Sequence, residues 1–320
     1  MKHQEHPRPR RHRGLPVAWI VPCLLLAAAP AHAENPYLQK ALETNFGAGK
    51  DSILVVEVRS GKLLASIRPE TLLRESHPPG SLIKIFTTLA YASEHGSAFP
   101  EFQCPATMSR DPNGCWDRNG HGMVNLEKAI AYSCNVYFRQ LAATVSPVVF
   151  AETLQRFSLI SGPDEILALP RSTQYKLMVG NTLDWSAPPI LILRAYCALY
   201  NGGRLWPSGV LESSRDVPLP GPALLERIRN GMRNGGETGT SVLARRASGA
   251  PLLGKTGTSL LLTGGAADWN RTQGWWIGLY PADAPEVAVM TFVRNGRGAS
   301  DAAPLGGRAL AEYLKVTHAK

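Results

Sequence analysis

The chain has 320 residues, 44% hydrophobic and 18% charged, enough to build a full buried core and free of repeats or low-complexity tracts. Its formal charge is +9, but the first 33 residues hold five Lys/Arg and one Glu, which leaves +5 on the remainder. With no basic run interleaved with aromatics beyond residue 33, that mild excess excludes nucleic acid as an expected partner.

Lys2, Arg8, Arg10, Arg11 and Arg13 precede an apolar stretch from Leu15 to Pro30, and Ala31-His32-Ala33 closes it in a small-x-small pattern. This order predicts export to the periplasm with a signal peptide, residues 1–33, cleaved after Ala33. The apolar stretch is shorter than the roughly 18 residues of a spanning helix. No stable membrane anchor is therefore expected, with an uncleaved inner-membrane anchor as the minor alternative. Cys23 lies inside the stretch behind Pro22, the wrong place for lipidation, and Arg10-Arg11 is too little for twin-arginine export.

Residues 34–49 read as a lead-in to one catalytic domain over 50–320. Ser52-Ile53-Leu54-Val55-Val56-Glu57-Val58, a Ser60-Gly61 turn and Leu63-Leu64-Ala65-Ser66-Ile67 read as a β-hairpin. Pro78-Pro79-Gly80 then breaks the chain before Leu82, Ile85, Phe86 and Leu89, so Ser81 is expected to open a helix over 81–95. Lys84, three residues on, shares its face, with side chains roughly 5–6 Å apart. A serine hydroxyl needs a base before it can attack, and a desolvated lysine can lose its proton and serve as one. An ordinary amphipathic helix with a solvated lysine is the plain alternative.

Four cysteines follow the leader. Cys104 and Cys115 flank the turn-rich Ser109-Arg110-Asp111-Pro112-Asn113-Gly114, and in an oxidising compartment they are expected to form a disulfide that stiffens the loop. Cys134 and Cys197 stand in apolar helical contexts and read as buried free thiols. His77, His95, His121 and His318 show no ligand spacing with one another or with a cysteine pair, so neither a metal nor any other cofactor is expected.

The run from Ala129 to Phe138 is apolar enough to be buried, so Ser133 and Asn135 within it need partners. They are either hydrogen-bonded core polars or a proton shuttle to a leaving amine (Ser133) and a donor and acceptor for a substrate amide (Asn135). Helices are predicted over 125–143, 146–157, 188–201 and 221–234. After Pro251-Leu252-Leu253-Gly254, a strand carries Lys255-Thr256-Gly257-Thr258. Gly257 would let a substrate strand approach the backbone closely, and Lys255 with the threonine hydroxyls Thr256 and Thr258 suits a carboxylate. An edge strand with a protective lysine is the alternative. Residues 260–270, punctuated by Gly264-Gly265, read as a loop at the cleft mouth. Strands over 274–280 and 287–294 and a helix over 304–316 end the chain. The expected fold is α/β (α+β): an antiparallel sheet of about five strands from both chain ends, packed by helices, with a helical insert over roughly 96–245 and the site between sheet and insert.

Ser-x-x-Lys at 81, Ser-x-Asn at 133 and Lys-Thr-Gly at 255 are each common. In this order and spacing they are the set used by serine acyltransferases of D-Ala-D-Ala peptides and penicillins. The chain resembles the transpeptidase domain of penicillin-binding proteins, class B (monofunctional) type, within the serine β-lactamase/D,D-peptidase superfamily, over roughly residues 50 to 315. The resemblance rests also on Cys115-Trp116, His121-Gly122, Ala195 through Gly203 ending in Asn-Gly-Gly, Gly231-Met232, Gly239-Thr240, Gly274 through Pro281, and Ala302-Ala303-Pro304. It implies an acyl-enzyme on Ser81 with Lys84 as base, and an oxyanion hole from the backbone N–H groups of Ser81 and Thr258. It implies peptidoglycan stem peptides and β-lactams as ligands, and a glycosyltransferase as a separate partner. Class B members usually carry an N-terminal pedestal and a membrane anchor, neither of which is expected here, and Ala187-Pro188-Pro189-Ile190 departs from their Thr-Pro motif.

Three functions share this chemistry. The reading adopted is a periplasmic D,D-transpeptidase/D,D-carboxypeptidase. A serine β-lactamase is the first alternative, with Glu165 as the candidate water-activating acid; position 169 is Leu where class A enzymes have Asn, and Asn135 stands where class D enzymes have Val. A penicillin-sensing or wall-binding module with slow turnover is the second.

Overall fold

Strands from the two chain ends meet in one antiparallel sheet. A computed structural model describes residues 34–107, 114–207, 213–263 and 266–318; the leader expectation for residues 1–33 lies outside them. No helix among the described residues is long and apolar enough to cross a membrane. The strands are β1 (Ser52–Glu57), β2 (Leu63–Ile67), β3 (Phe102–Cys104), β4 (Gly122–Val124), β5 (Arg204–Leu205), β6 (Arg215–Asp216), β7 (Leu253–Thr263), β8 (Ala266–Tyr280) and β9 (Val287–Arg294). The main sheet runs β2-β1-β9-β8-β7, so the hairpin read from the sequence joins the C-terminal strands through β1 and β9, with Ser52 opposite Phe292 and Glu57 opposite Val287. Two-stranded sheets β3-β4 and β5-β6 stand apart from it.

Helices cover both faces, as a strand buried on two sides demands. On one face Ile53, Val55, Trp276, Val287 and Val289 pack with Leu38, Leu42, Leu305 and Leu310. The helices there are α1 (Pro36–Phe46), where a lead-in was expected, and α12 (Ala303–His318). On the other face Leu54, Val56, Ile277 and Met290 pack with the helical part of the chain. Its helices are α2 (Pro69–Leu73), α3 (Lys84–His95), α4 (Leu126–Ala131), α5 (Asn135–Ala142), α6 (Pro147–Arg156), α7 (Asp164–Leu167), α8 (Arg171–Val179), α9 (Pro189–Ala198) and α10 (Pro222–Glu237). A short α11 (Val242–Ser248) and α12 (Ala303–His318) complete the chain. The expected loop over 260–270 is instead the paired ends of β7 and β8, apart from residues 264–265, which lie outside the described residues. Strand pairing continues there because Leu260, Leu261 and Leu262 keep a register with Thr272, Asp268 and Ala267 across a bulge.

Ser81 does not open an α-helix. It lies in a 3-10 turn, Gly80–Ile83, and α3 begins at Lys84. Side chains at i and i+3 eclipse in 3-10 geometry, which sets Lys84 in line with Ser81. The turn is held from three sides. Pro78 carbonyl oxygen accepts from Ser259 Oγ (3.0 Å), Trp275 Nε1 (3.2 Å) and Gln273 Nε2 (3.4 Å). Tyr196 hydroxyl on α9 donates to Leu82 carbonyl (2.7 Å), and the backbones of His77 and Ala187 exchange two hydrogen bonds. The unusual Ala187-Pro188-Pro189 segment thus braces the turn and starts α9 at Pro189.

The single helix expected over 125–143 is broken in two by the residues of greatest interest. Ser133 has φ 51°, the left-handed region. Its N–H bonds Ile130 carbonyl (3.3 Å) and the Cys134 N–H bonds Ala129 carbonyl (3.0 Å). These are the two hydrogen bonds of a Schellman stop, in which glycine usually fills the left-handed position. Cys134 Sγ then caps α5 by accepting from Tyr137 N–H (3.5 Å). A serine kept there at a cost of about 1–2 kcal/mol serves something other than stability. Ser133→Gly is expected to be more stable than Ser133→Ala by about 1 kcal/mol in denaturant unfolding, since the two share the lost hydroxyl and differ in left-handed strain. An alanine variant as stable as the glycine variant would contradict the strained stop.

Candidate active site

Three expected site residues from distant segments meet at one hydroxyl. Lys84 and Lys255 are both fully buried. Lys255 Nζ donates to Ser133 Oγ at 2.9 Å and to Thr256 carbonyl at 2.8 Å. Lys84 Nζ donates to Asn135 Oδ1 at 2.7 Å and Ser133 carbonyl at 2.8 Å, with Ser133 Oγ at 3.4 Å. Asn135 and Ser133 are therefore the partners of a buried amine, which is why polar side chains persist in an apolar run.

Burial pushes the Lys84 amine down to about 7; nearby Cys134 and Cys115 pull it back up, and Arg139 presses it down. That drop corresponds to a bias on the order of 5 kcal/mol against the ammonium form. Leu82, Ile83, Ile85 and Phe86, all fully buried around it, contribute about 1.5–3 kcal/mol each, which offsets such a cost. Burial, with the Lys84 charge in addition, also holds Lys255 well below the ordinary lysine range. Two amines this close cannot both keep a proton cheaply. One charge shared between them is the cheaper state, with Ser133 Oγ within reach of both amines.

Lys255 sits on β7, the edge strand of the sheet. An edge-protecting lysine points to solvent, and this one points inward to Ser133. Gly257, expected to face a substrate strand, packs closely on the Ser81 turn: a Cβ there would lie 2.6 Å from Pro79 carbonyl oxygen. Gly80, at φ 57°, fits against the strand in the same way, its absent Cβ falling 2.5 Å from Thr258 carbonyl oxygen and 2.8 Å from Thr258 nitrogen. Backbone-to-backbone packing thus sets Ser81 beside Thr258, and Thr258 stays exposed on the groove with its Oγ1 accepting from Gly298 N–H (3.0 Å). Thr256 Oγ1 bonds Thr240 Oγ1 at 2.8 Å, and Thr240 N–H bonds Ala131 carbonyl, tying β7 to the end of α4.

The expected Cys104–Cys115 disulfide is not formed; both thiols are free. They turn instead toward His121 and Cys134, and the four ligand atoms lie within 4.8 Å of one another. His121 Nδ1 is 3.5 Å from Cys104 Sγ and 3.5 Å from Cys115 Sγ, and Cys115 Sγ is 3.9 Å from Cys134 Sγ, against the roughly 2.05 Å of a disulfide. The shared contact pushes the Cys115 thiol down and, with burial, the Cys134 thiol up. Sequence spacing concealed this grouping because the pairing of β3 with β4 brings Cys104 beside the His121 turn, the His121 N–H bonding Cys104 carbonyl. Cys197 is a buried free thiol.

Sequence reasoning also missed Thr240 and Tyr196 as supports, although Gly239-Thr240 and Ala195 through Gly203 were both visible as motifs. Glu165, the candidate acid of the β-lactamase reading, accepts from Ser161 N–H and lines a cavity with Glu152, Arg156, Arg194 and Arg215, none of them site residues.

A family model of the penicillin binding protein transpeptidase domain matches residues 52–311. The peptidoglycan D,D-transpeptidase MrdA of Haemophilus influenzae is 25% identical over 295 residues, 75% of this chain and 44% of that protein. The peptidoglycan D,D-transpeptidase PbpA of Mycobacterium tuberculosis is 24% identical over 350 residues, 85% of this chain and 70% of that protein. The chain spans less than half the length of the MrdA relative. In fold it is similar to Pseudomonas aeruginosa PBP2 in complex with WCK 5153, with TM-score 0.71 and 23% identity over 89% of this chain and 75% of that one. It is similar also to the penicillin-binding protein A of M. tuberculosis in its ceftriaxone acyl-enzyme complex, with TM-score 0.68 and 20% identity over 88% and 78%. Fold, motif order and the family match over 52–311 agree: the chain belongs to the penicillin-binding protein transpeptidase domain family.

Proposed function

We propose that this chain is a periplasmic serine D,D-transpeptidase/D,D-carboxypeptidase that is acylated at Ser81 by the D-Ala-D-Ala end of peptidoglycan stem peptides and by β-lactams. One observation carries the reading: two buried lysines from segments far apart in sequence converge on the Ser133 hydroxyl. Nothing about a stable fold needs two buried amines on one serine.

In the proposed cycle neutral Lys84 takes the Ser81 proton as Ser81 Oγ attacks the penultimate D-Ala carbonyl. The N–H groups of Ser81 and Thr258 hold the developing oxyanion, the term usually largest in such reactions. Ser133 Oγ, accepting from Lys255, hands its proton to the leaving amine and is resupplied from Lys84. Lys255, Thr256 and Thr258 receive the donor carboxylate, and Asn135 its side-chain amide. An acceptor amine then resolves the acyl-enzyme in transpeptidation, and water in carboxypeptidation. The signal peptide, cleavage after Ala33 and a separate glycosyltransferase partner belong to the same reading.

The alternatives are separated by what happens after acylation. A β-lactamase needs fast water attack, and Glu165 lies among Glu152 and Arg215 in a cavity that the acylation residues do not line. A sensor would acylate equally and turn over no peptide.

Fluorescent penicillin is expected to label the mature protein covalently, and Ser81→Ala to abolish the label; labelling of the alanine variant eliminates the assignment. The acyl-enzyme is expected to persist for many minutes, whereas a millisecond lifetime transfers the vote to the β-lactamase. The acylation rate is expected to be low below pH 7, to rise as Lys84 loses its proton at about 7, and to level off above it. Lys84→Ala is expected to lower the plateau by about 10²–10⁴-fold. A rate that is flat from pH 5 to 9 would remove Lys84 as the base.

A further inference from the structure

Pro78 and Pro79 lead into the Ser81 turn and have no N–H to give, so the sheet can hold them only through their carbonyls. Pro78 carbonyl accepts from Ser259 Oγ on β7 and from Gln273 Nε2 and Trp275 Nε1 on β8. Gln273 Nε2 also donates to Ser259 Oγ at 2.9 Å, so one amide ties the hydroxyl and the carbonyl together. An amide can turn over in place. Reversed, Gln273 would set its oxygen against Pro78 carbonyl oxygen, and the Ser259 proton would leave Pro78 to meet it.

The group on the other side of Gln273 decides between the two orientations, and that group is His77. Its side chain is 12% exposed and lies against two aromatic rings, with centroids 5.6 Å away at Trp275 and 4.8 Å away at Phe292. Such a slot suits an apolar ring, and a buried imidazole costs free energy unless its nitrogens are bonded. His77 Nε2 lies 3.0 Å from Glu75 Oε2, and the ring also hydrogen-bonds the Gln273 side chain. With Nε2 on Glu75, Nδ1 is the nitrogen left for Gln273. With Gln273 Nε2 committed to Pro78 and Ser259, its oxygen is the atom that accepts.

Both partners of the ring are therefore acceptors. Burial holds the ring below the ordinary histidine range against the pull of both bonds, which leaves it uncharged at neutral pH with one proton for two acceptors. Glu75 is 46% exposed and has Arg294 Nη2 at 3.3 Å on the same oxygen. Gln273 is buried, and an acceptor stranded there costs more. The proton belongs on Nδ1. We propose that His77 is a positioning residue for acylation, whose Nδ1–H fixes the Gln273 amide and, through it, the Pro78 carbonyl and the Ser81 turn. The two backbone hydrogen bonds between His77 and Ala187 keep the ring in its slot.

The rate readouts rest on the function proposed above, whereas the ring proton does not. The test takes the full mature chain and measures penicillin binding and the acylation rate constant separately, together with the unfolding midpoint and the ¹⁵N shifts of the His77 ring. His77→Phe fills the aromatic slot without an N–H. A misplacement of about 1 Å can cost about 10²-fold, and Trp275 still holds Pro78 carbonyl, so acylation about 10-fold slower is expected. Binding is expected to stay within about 2-fold, since the substrate contacts are untouched. His77→Asn can place an amide N–H where Nδ1 stands, but it loses the aromatic packing. It is expected to be the less stable of the two variants and the faster to acylate. On a Gln273→Ala background, His77→Phe is expected to slow acylation no further. In the unsubstituted chain Nδ1 is expected to carry the proton at neutral and mildly alkaline pH.

A rate order that follows stability, with His77→Phe faster than His77→Asn, overturns the proposal. So does an additive effect of the two substitutions, or a bare Nδ1 with the proton on Nε2 at about pH 8. Where His77→Phe does not fold, the ring proton and the rate of His77→Asn against Gln273→Ala decide. Unsubstituted protein that takes no label defeats the proposed function instead, and the positioning bond is then judged on the Nδ1 proton alone.

Discussion

The structure turns on two buried amines sharing the Ser133 hydroxyl. A lysine in the interior has few comfortable states: it keeps its charge only with several acceptors around it, or it gives the proton up. Lys84 has Asn135 Oδ1 and Ser133 carbonyl as acceptors, and burial still presses it down to about 7. Lys255 has Ser133 Oγ and Thr256 carbonyl and feels Lys84 as a second positive charge. The remaining architecture supplies conditions for this pair. The sheet brings β7 from the C-terminal part against a turn from the N-terminal part, and the apolar face beneath that turn supplies the burial.

Backbone geometry does much of the positioning that side chains could not. The Ser81 turn is held through the Pro78 carbonyl, with three donors from β7 and β8, and through Leu82 carbonyl with Tyr196. The Ser133 turn is held as a helix stop with a serine in a glycine's place. Strain at such a position persists where function needs a side chain that the cheapest backbone solution lacks.

Strands at both ends and the helical stretch between them were legible in the sequence, because their apolar periods are strong and Gly and Pro mark their limits. Ser81, Lys84, Ser133, Asn135 and Lys255 were legible through motif order, and three of those five make direct contact at one hydroxyl. The break between α4 and α5 was not legible: Ala129 to Phe138 keeps a helical apolar pattern, and left-handed backbone at a serine leaves no local signal. Nor was the thiol cluster, because Cys104, Cys115, His121 and Cys134 come together through the β3–β4 pairing and a helix junction, at gaps of 11, 6 and 13 residues that match no short ligand motif. Residues 260–270 read as a loop because of Gly264-Gly265, whereas 260–263 continue β7 and 266–270 begin β8. Local punctuation predicted the wrong state wherever long-range pairing decided the outcome.

The most direct test of the central interaction is a heteronuclear NMR titration of the lysine side-chain amines in unacylated protein, with Lys84 assigned by substitution to arginine. The account predicts that Lys84 Nζ titrates at about 7, far below the ordinary lysine value of 10.5. A Lys84 amine that titrates near the ordinary value of 10.5 would contradict it.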